Sequence, residues 1–160
     1  MNYFNAILHD TAFQSALSKI HQLEETRIFC KHGINHLFDV ARIAWIITLE
    51  HQRPFDKEVL YLAALLHDIG RSQTLRPHDE ESVTIAQQLL EKHQVPVSQQ
   101  ADILEAIACH RQKSAEIDLA TCTLGALLAY ADERSRLCFA CPASHDCYWP
   151  KERKNHFMYY

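Results

Sequence analysis

The apolar run from Val59 to Leu66 ends in His67-Asp68, an imidazole and a carboxylate at the mouth of what reads as a buried helix. Burying such a pair without a partner is costly, and a metal ion is one partner that suits both, since His and Asp are good ligands for borderline divalent metals. Adjacent side chains leave a helix about 100° apart. They reach one ion only if it sits over the helix end, where Gly70 would let the chain turn away. Alone, the dipeptide is better read as a capping His and a surface Asp. Other residues repeat the pattern, however. His36 opens an apolar stripe, His78 stands just before a helix, His110 closes the segment from Ile103 to Cys109, and Asp132 follows Leu127 to Ala131. Four His and two Asp thus sit at the edges of buried helices. Singly each is more often a satisfied core polar group or a cap than a ligand; together they are harder to dismiss.

The elements that must position them are all helical. An amphipathic segment over about Tyr3 to Arg27 carries Phe4, Ile7, Leu8, Phe13, Leu17, Ile20 and Leu23 at helical spacing. A second helix is expected from His32 to His51, broken by Pro54, and a third from an Asp56 N-cap to near Asp68. Residues 71 to 77 read as a loop. Asp79-Glu80-Glu81 opens the next helix, with acids favourably placed at its start. After Pro96, Ser98 is expected to cap a helix to His110, and a last helix runs from Leu119 to Arg134. The spacing predicts an all-α, compact helical bundle, one domain over 1–160 with a Cys-rich C-terminal extension at 138–160.

The chain has 160 residues, 48% of them hydrophobic and 22% charged, with only 3 Gly and 5 Pro, which favours helices over a turn-rich β architecture. A formal net charge of -4 argues against a broad footprint for a nucleic-acid polymer. No apolar run approaches the roughly 20 residues of a membrane span, and the first twenty residues lack the order of a signal peptide. A cytoplasmic location is therefore expected. Six Cys in such a context read as thiols or metal ligands rather than disulfides.

His36-x-x-x-Val40-Ala41, Ala64-Leu65-Leu66-His67-Asp68-Ile69-Gly70 and Tyr130-Ala131-Asp132 together resemble the HD superfamily of metal-dependent phosphohydrolases. His78 and His110 match the extra histidines of its two-metal members, and the motif order is most similar to the bacterial symmetrical dinucleoside-polyphosphate hydrolases. The resemblance spans about residues 27 to 136. It implies one metal held by His36, His67, Asp68 and Asp132, and a second held by His78 and His110 with Asp68 bridging. If His78 points to solvent, the site becomes mononuclear. Mixed imidazole and carboxylate ligands suit Fe, Mn, Co or Zn. The implied activity is hydrolysis of a phosphomonoester, phosphodiester or phosphoanhydride in a nucleotide or similar small molecule, through a metal-activated water. Homodimerisation is left open. A di-iron oxygenase and a non-catalytic metal- or redox-sensing module are the rival readings.

Arg71 stands three residues after Asp68, where a guanidinium can grip a phosphate and assist catalysis or simply oppose a helix dipole. Arg111 and Lys113 are weaker candidates of the same kind. His32 either lines the pocket mouth as a substrate-binding residue or, more simply, caps a helix or faces solvent. Arg27, Glu133 and Arg136 read as surface residues, Arg136 with some chance of reaching substrate. Cys138-x-x-Cys141 followed by Cys147 can hold zinc or a cluster, with His145, His156 or a distant Cys as fourth ligand. A single Cys pair instead favours a packed flap with Phe139, Tyr148 and Trp149 covering the core. Cys30, Cys109 and Cys122 read as small hydrophobes on apolar helical faces.

Overall fold

Burial on every side marks the helix that precedes His67. In the computed structural model, which describes residues 1–73, 77–111 and 117–160, that helix is α4 (Lys57–Leu66), and its run from Val59 to Leu66 is buried except for half-buried Tyr61. The Asp56 carboxylate accepts from the Val59 N–H and starts it. Before it come α1 (Asn2–Leu8), α2 (Thr11–Leu23) and α3 (Ile34–Glu50); after it come α5 (Asp79–Lys92), α6 (Val97–Cys109) and α7 (Leu124–Arg134). The described residues hold seven α-helices and three short 3-10 turns, Ile69–Ser72, Cys138–Ala140 and Lys151–Arg153, with no strand. α4 packs between α3 and α6, α7 closes against both of these, and α5 lies on α6 and on the turn at Ile69–Ser72. One continuous core joins Phe4, Phe13, Leu60, Leu66, Leu90, Ile107 and Leu127.

Four boundaries differ from the sequence reading, each for a local reason. The Tyr3–Arg27 segment is two helices, because Asp10 caps α2 by accepting from the Ala12 N–H at 2.8 Å. α3 starts two residues late because the His32 N–H is held by the Glu24 carboxylate at 2.7 Å. Ser98 is not the cap of α6, which begins directly after Pro96, whose fixed φ and missing N–H cost nothing there. α7 starts at Leu124, not Leu119, because Asp118 captures the Ala120 N–H and the Thr121 hydroxyl in a turn and Thr123 becomes the cap. No described helix is long and apolar enough to cross a membrane.

Asp10 also ties the N-terminal helices to the end of α5. Its Oδ2 lies 2.6 Å from Lys92 Nζ and 2.7 Å from His93 Nε2. The Lys92 contact leads in holding its carboxyl well below the usual range; burial opposes this, and His93 and the Ala12 N–H assist. Asp10→Ala is expected to cost about 1–2 kcal/mol in urea unfolding at neutral pH. A depressed carboxyl contributes stability above its unfolded pKa and loses it as pH falls. The gap between variant and parent should therefore narrow below about pH 4.

Candidate metal centre

Helix ends converge on one point. His36 comes from the first turn of α3, His67 and Asp68 follow the last turn of α4, His78 immediately precedes α5, His110 immediately follows α6, and Asp132 lies near the end of α7. The structure brings all six together. Ligand atoms of His36, His67 and Asp132 fall within 4.8 Å of one another, and so do those of Asp68, His78 and His110. Asp68 faces both groups. Its Oδ2 is 3.5 Å from Nε2 of His36 and of His67, while its Oδ1 is 2.6 Å from His78 Nε2 and 3.9 Å from His110 Nε2. His78 does not point to solvent; it is buried.

Three of the rings are oriented by their other nitrogen. His67 Nδ1 meets the Ala64 carbonyl at 2.8 Å, and His110 Nδ1 meets the Ile107 carbonyl. A carbonyl only accepts, so both rings carry the proton on Nδ1. His36 Nδ1 lies 3.2 Å from Ser135 Oγ, whose own hydrogen goes to the Asp132 carbonyl, so this ring also donates from Nδ1. With Nδ1 turned outward, these three rings present Nε2 to one another and to two carboxylates. Nε2 of His36 and His67 and Oδ1 of Asp132 are buried without a hydrogen-bond partner, whereas His78 Nε2 stands at hydrogen-bond distance from Asp68 Oδ1. Acceptors facing acceptors repel unless a cation lies between them. Gaps of 3.4–3.5 Å are what ligand atoms have when each stands about 2.0–2.2 Å from a shared ion. The donor set thus fits divalent metal.

Burial lowers the His67 pKa to about 4, so its ring is neutral at pH 7. Burial pushes the Asp68 carboxyl up, but His67, contacts from His36 and His78, and Arg71 outweigh it and hold the group well below the usual range. Asp132 is likewise held down, chiefly by Arg136 against burial, with His36 and His67 adding to the effect.

A cavity of about 360 Å³ opens over the cluster. Arg27, Arg71, Arg111, Arg136 and Arg153 line it, and Phe29, Tyr148 and Trp149 supply aromatic surface. Arg71 Nε is 3.0 Å from Asp68 Oδ1, which puts this residue at the cluster itself. Arg111 sits at the rim, half-exposed and paired with Asp79 at 2.7 Å; Lys113 lies outside the described residues. His32 is neither a cap nor solvent-facing. It is buried, its Nδ1 is 2.6 Å from Glu24 Oε1, and its Nε2 reaches to 3.9 Å from Asp68 Oδ2. Arg27, Glu133 and Arg136 are cavity residues rather than surface ones, because the C-terminal segment folds back over them.

The aromatic flap also differs from expectation. Phe139 and Tyr148 are exposed and cover no core; Tyr148 sets its edge against Phe29, and Trp149 is sandwiched between the guanidiniums of Arg136 and Arg153. Cys30 and Cys122 lie in connections, not on helices, and Cys109 is half-buried at the end of α6 against Gly125. Sequence reasoning passed over Glu24 and Ser135, which orient His32 and His36. Ser135 carried a signal, standing one turn after Asp132; Glu24 carried none, since only the folded connection buries it.

Helical architecture, ligands at helix ends and a buried imidazole and carboxylate cluster define a class, and comparison names it. The family model described as HD domain matches residues 33–137, and the chain belongs to that family. A Clostridium beijerinckii protein, itself described as uncharacterized, is 37% identical over 163 residues and covers the full length of both chains. The fold also matches a crystal structure, at 1.45 Å resolution, described as a predicted HD superfamily hydrolase from an uncultured Thermotogales bacterium. Its TM-score is 0.62 at 24% identity, covering 89% of this chain and 78% of that one.

Gly70 serves the site through close approach rather than through a left-handed turn, since no glycine here has positive φ. A Cβ at Gly70 would stand 2.2 Å from the His78 carbonyl oxygen and 2.4 Å from the Ser82 nitrogen, both backbone atoms. Gly70→Ala must therefore push away the start of α5, and His78 with it. The expected outcome is a loss of about 1–3 kcal/mol of stability and of most bound metal, read by chemical unfolding and elemental analysis. Normal metal content would show that α5 does not set the site.

Proposed function

We propose that the chain is a metal-dependent phosphohydrolase acting on a small phosphorylated molecule, most simply a nucleotide. The observation that carries this reading is a buried cluster of imidazole and carboxylate ligand atoms opening into a cavity lined by five arginines. Such a cluster recruits cations, and the cavity wall recruits anions. The cavity volume falls in the range of small-ligand pockets, and the aromatic surface of Phe29, Tyr148 and Trp149 offers a place for a flat base.

In this reading His36, His67 and Asp132 hold one ion, His78 and His110 hold another, and Asp68 is shared. Two divalent cations supply Lewis acidity toward a phosphoryl oxygen and acidify a water molecule. The chain's own residues do the rest. Asp68 fixes the spacing of the two ligand groups and presents its carboxylate toward the cavity. Arg71, beside it, opposes the charge that grows on phosphoryl oxygens. Arg136, held against Asp132 at 3.2 Å and stacked on Trp149, orients the anion from the opposite wall. His32, oriented by Glu24, and Arg111 bound the cavity on its flanks. The motif order puts symmetrical dinucleoside polyphosphates among the first substrates to try.

Asp68→Ala and the milder Asp68→Asn should lose the metal of the histidine cluster and all phosphate release. Chelation of the parent chain should do the same, reversed by Mn, Fe, Co or Zn. The readouts are metal stoichiometry and phosphate liberated from a panel of nucleotide mono- and polyphosphates. Unchanged metal in Asp68→Ala would refute the ligand assignment. Di-iron absorbance with oxygen uptake and no phosphate release from the panel would refute the hydrolase.

A further inference from the structure

The last 26 residues, 135–160, fold with almost no core. Only Ala143 and Asn155 among them are buried, while Leu137, Phe139, Tyr148, Phe157, Met158 and Tyr159 are exposed. The regular structure is two 3-10 turns of three residues each. Polar ties exist: the Asn155 side-chain amide donates to the Glu133 and Arg136 carbonyls, and Lys154 donates to the Ser144 carbonyl. Yet this segment supplies Cys138, Cys147, Tyr148, Trp149 and Arg153 to the wall of the main cavity. A segment with so little apolar burial is ordinarily held by disulfides or a structural metal. All six cysteines are free thiols.

Four of those thiols share one place. Cys30, Cys138, Cys141 and Cys147 line a single cavity of about 440 Å³, whose wall also includes His36 and Asp39. Within Cys138-x-x-Cys141 the backbone makes a 3-10 turn, closed by the Cys141 N–H on the Cys138 carbonyl at 3.3 Å. Side chains three apart in such a turn eclipse, so both thiols project to the same side. Cys147 returns after two further turns, in which Ser144 bonds to Cys141 and Asp146 to Ala143. Cys30 arrives from the connection between α2 and α3. Burial pushes its thiol pKa up, Arg136 pulls it down, and Cys138 and Cys141 push it up again, so both of these thiols lie within electrostatic reach of Cys30. His145 and His156 are exposed and do not line this cavity, and His156 Nε2 is engaged by the Lys151 carbonyl. Arg27, Lys31, Arg136 and Lys154 do line it, against one carboxylate, Asp39, which leaves a net positive wall to face thiolates.

We propose that Cys30, Cys138, Cys141 and Cys147 form a second metal centre, a four-thiolate site for a zinc ion or a preassembled iron–sulfur cluster. Four sulfurs are the ligand set that both occupants take in proteins; they do not form a group within 4.8 Å as the two histidine groups do, so binding would draw them together. Binding converts four thiols to thiolates, each forming one sulfur–metal bond as its proton passes to solvent. The centre would staple the C-terminal segment to the connection that carries Cys30 and His32, and so fix one wall of the substrate cavity. The HD family match ends at residue 137, one residue before the first cysteine of this segment, so the centre stands apart from the ligand set described above.

The test uses the full chain carrying Asp68→Ala, purified without oxygen, so that metal at the histidine cluster does not confuse the count. That chain should retain about one zinc, or about four irons with matching sulfide, per molecule. The first result assigns zinc and the second a cluster; both support the site. Adding Cys141→Ser or Cys147→Ser should remove that metal, whereas Cys109→Ser should not. Should the serine variants fail to fold, alkylation of the parent chain mapped by mass spectrometry decides. Cys30, Cys138, Cys141 and Cys147 should be protected together and become reactive together when the metal is stripped. An Asp68→Ala chain free of zinc and iron, retention of the metal in Cys141→Ser, or alkylation of the four thiols independent of metal removal would overturn the proposal.

Discussion

A carboxylate buried among imidazole nitrogens is the constraint on which the rest of this structure depends. Asp68 is 3% exposed and is approached by Nε2 atoms of five histidines, three of which keep their protons on the far side of the ring. Removing a charge from water without compensation costs several kcal/mol or more. Arg71 offsets part of that cost on one edge of the carboxylate. His78 approaches Oδ1 at hydrogen-bond distance, while Oδ2 faces Nε2 of His36 and of His67 across 3.5 Å, a gap that a cation fits.

The bundle is arranged to make that convergence rigid. α4 is buried without a break from Leu62 to Leu66, so its C-terminal end cannot shift without disturbing the whole core. The backbone carbonyls that orient His67 and His110 lie in the last turns of α4 and α6, groups left without partners wherever a helix stops. Each helix end thus satisfies its own carbonyl and aims its imidazole in one contact. Gly70 then lets the start of α5 approach to backbone contact, bringing His78 to the same carboxylate. A longer side chain at that one position separates the two halves of the cluster.

The sequence made α4, its Asp56 cap and the six convergent His and Asp residues legible, because buried helices with polar ends are a strong periodic signal. It did not show where α1 ends. Asp10 looks like any surface acid until its pairing with His93, 83 residues further on, is seen. His32 was misplaced for the same reason, since its burial depends on Glu24 folding beneath it. The role of Gly70 was assigned to turning when it belongs to packing, a difference that only the neighbouring backbone reveals. The C-terminal cysteines were legible as a pattern but lacked their companion: Cys30 is distant in sequence, and nothing in its local context marked it as facing them.

Anomalous diffraction from crystals of the metal-loaded chain addresses the central claim most directly. The account predicts two ions sharing Asp68, one bound by His36, His67 and Asp132 and the other by His78 and His110, with Nδ1 of His36, His67 and His110 still hydrogen-bonded to Ser135, Ala64 and Ile107. A loaded crystal with no ion at Asp68, or with its histidines turned to donate Nε2–H to the carboxylates, would contradict it.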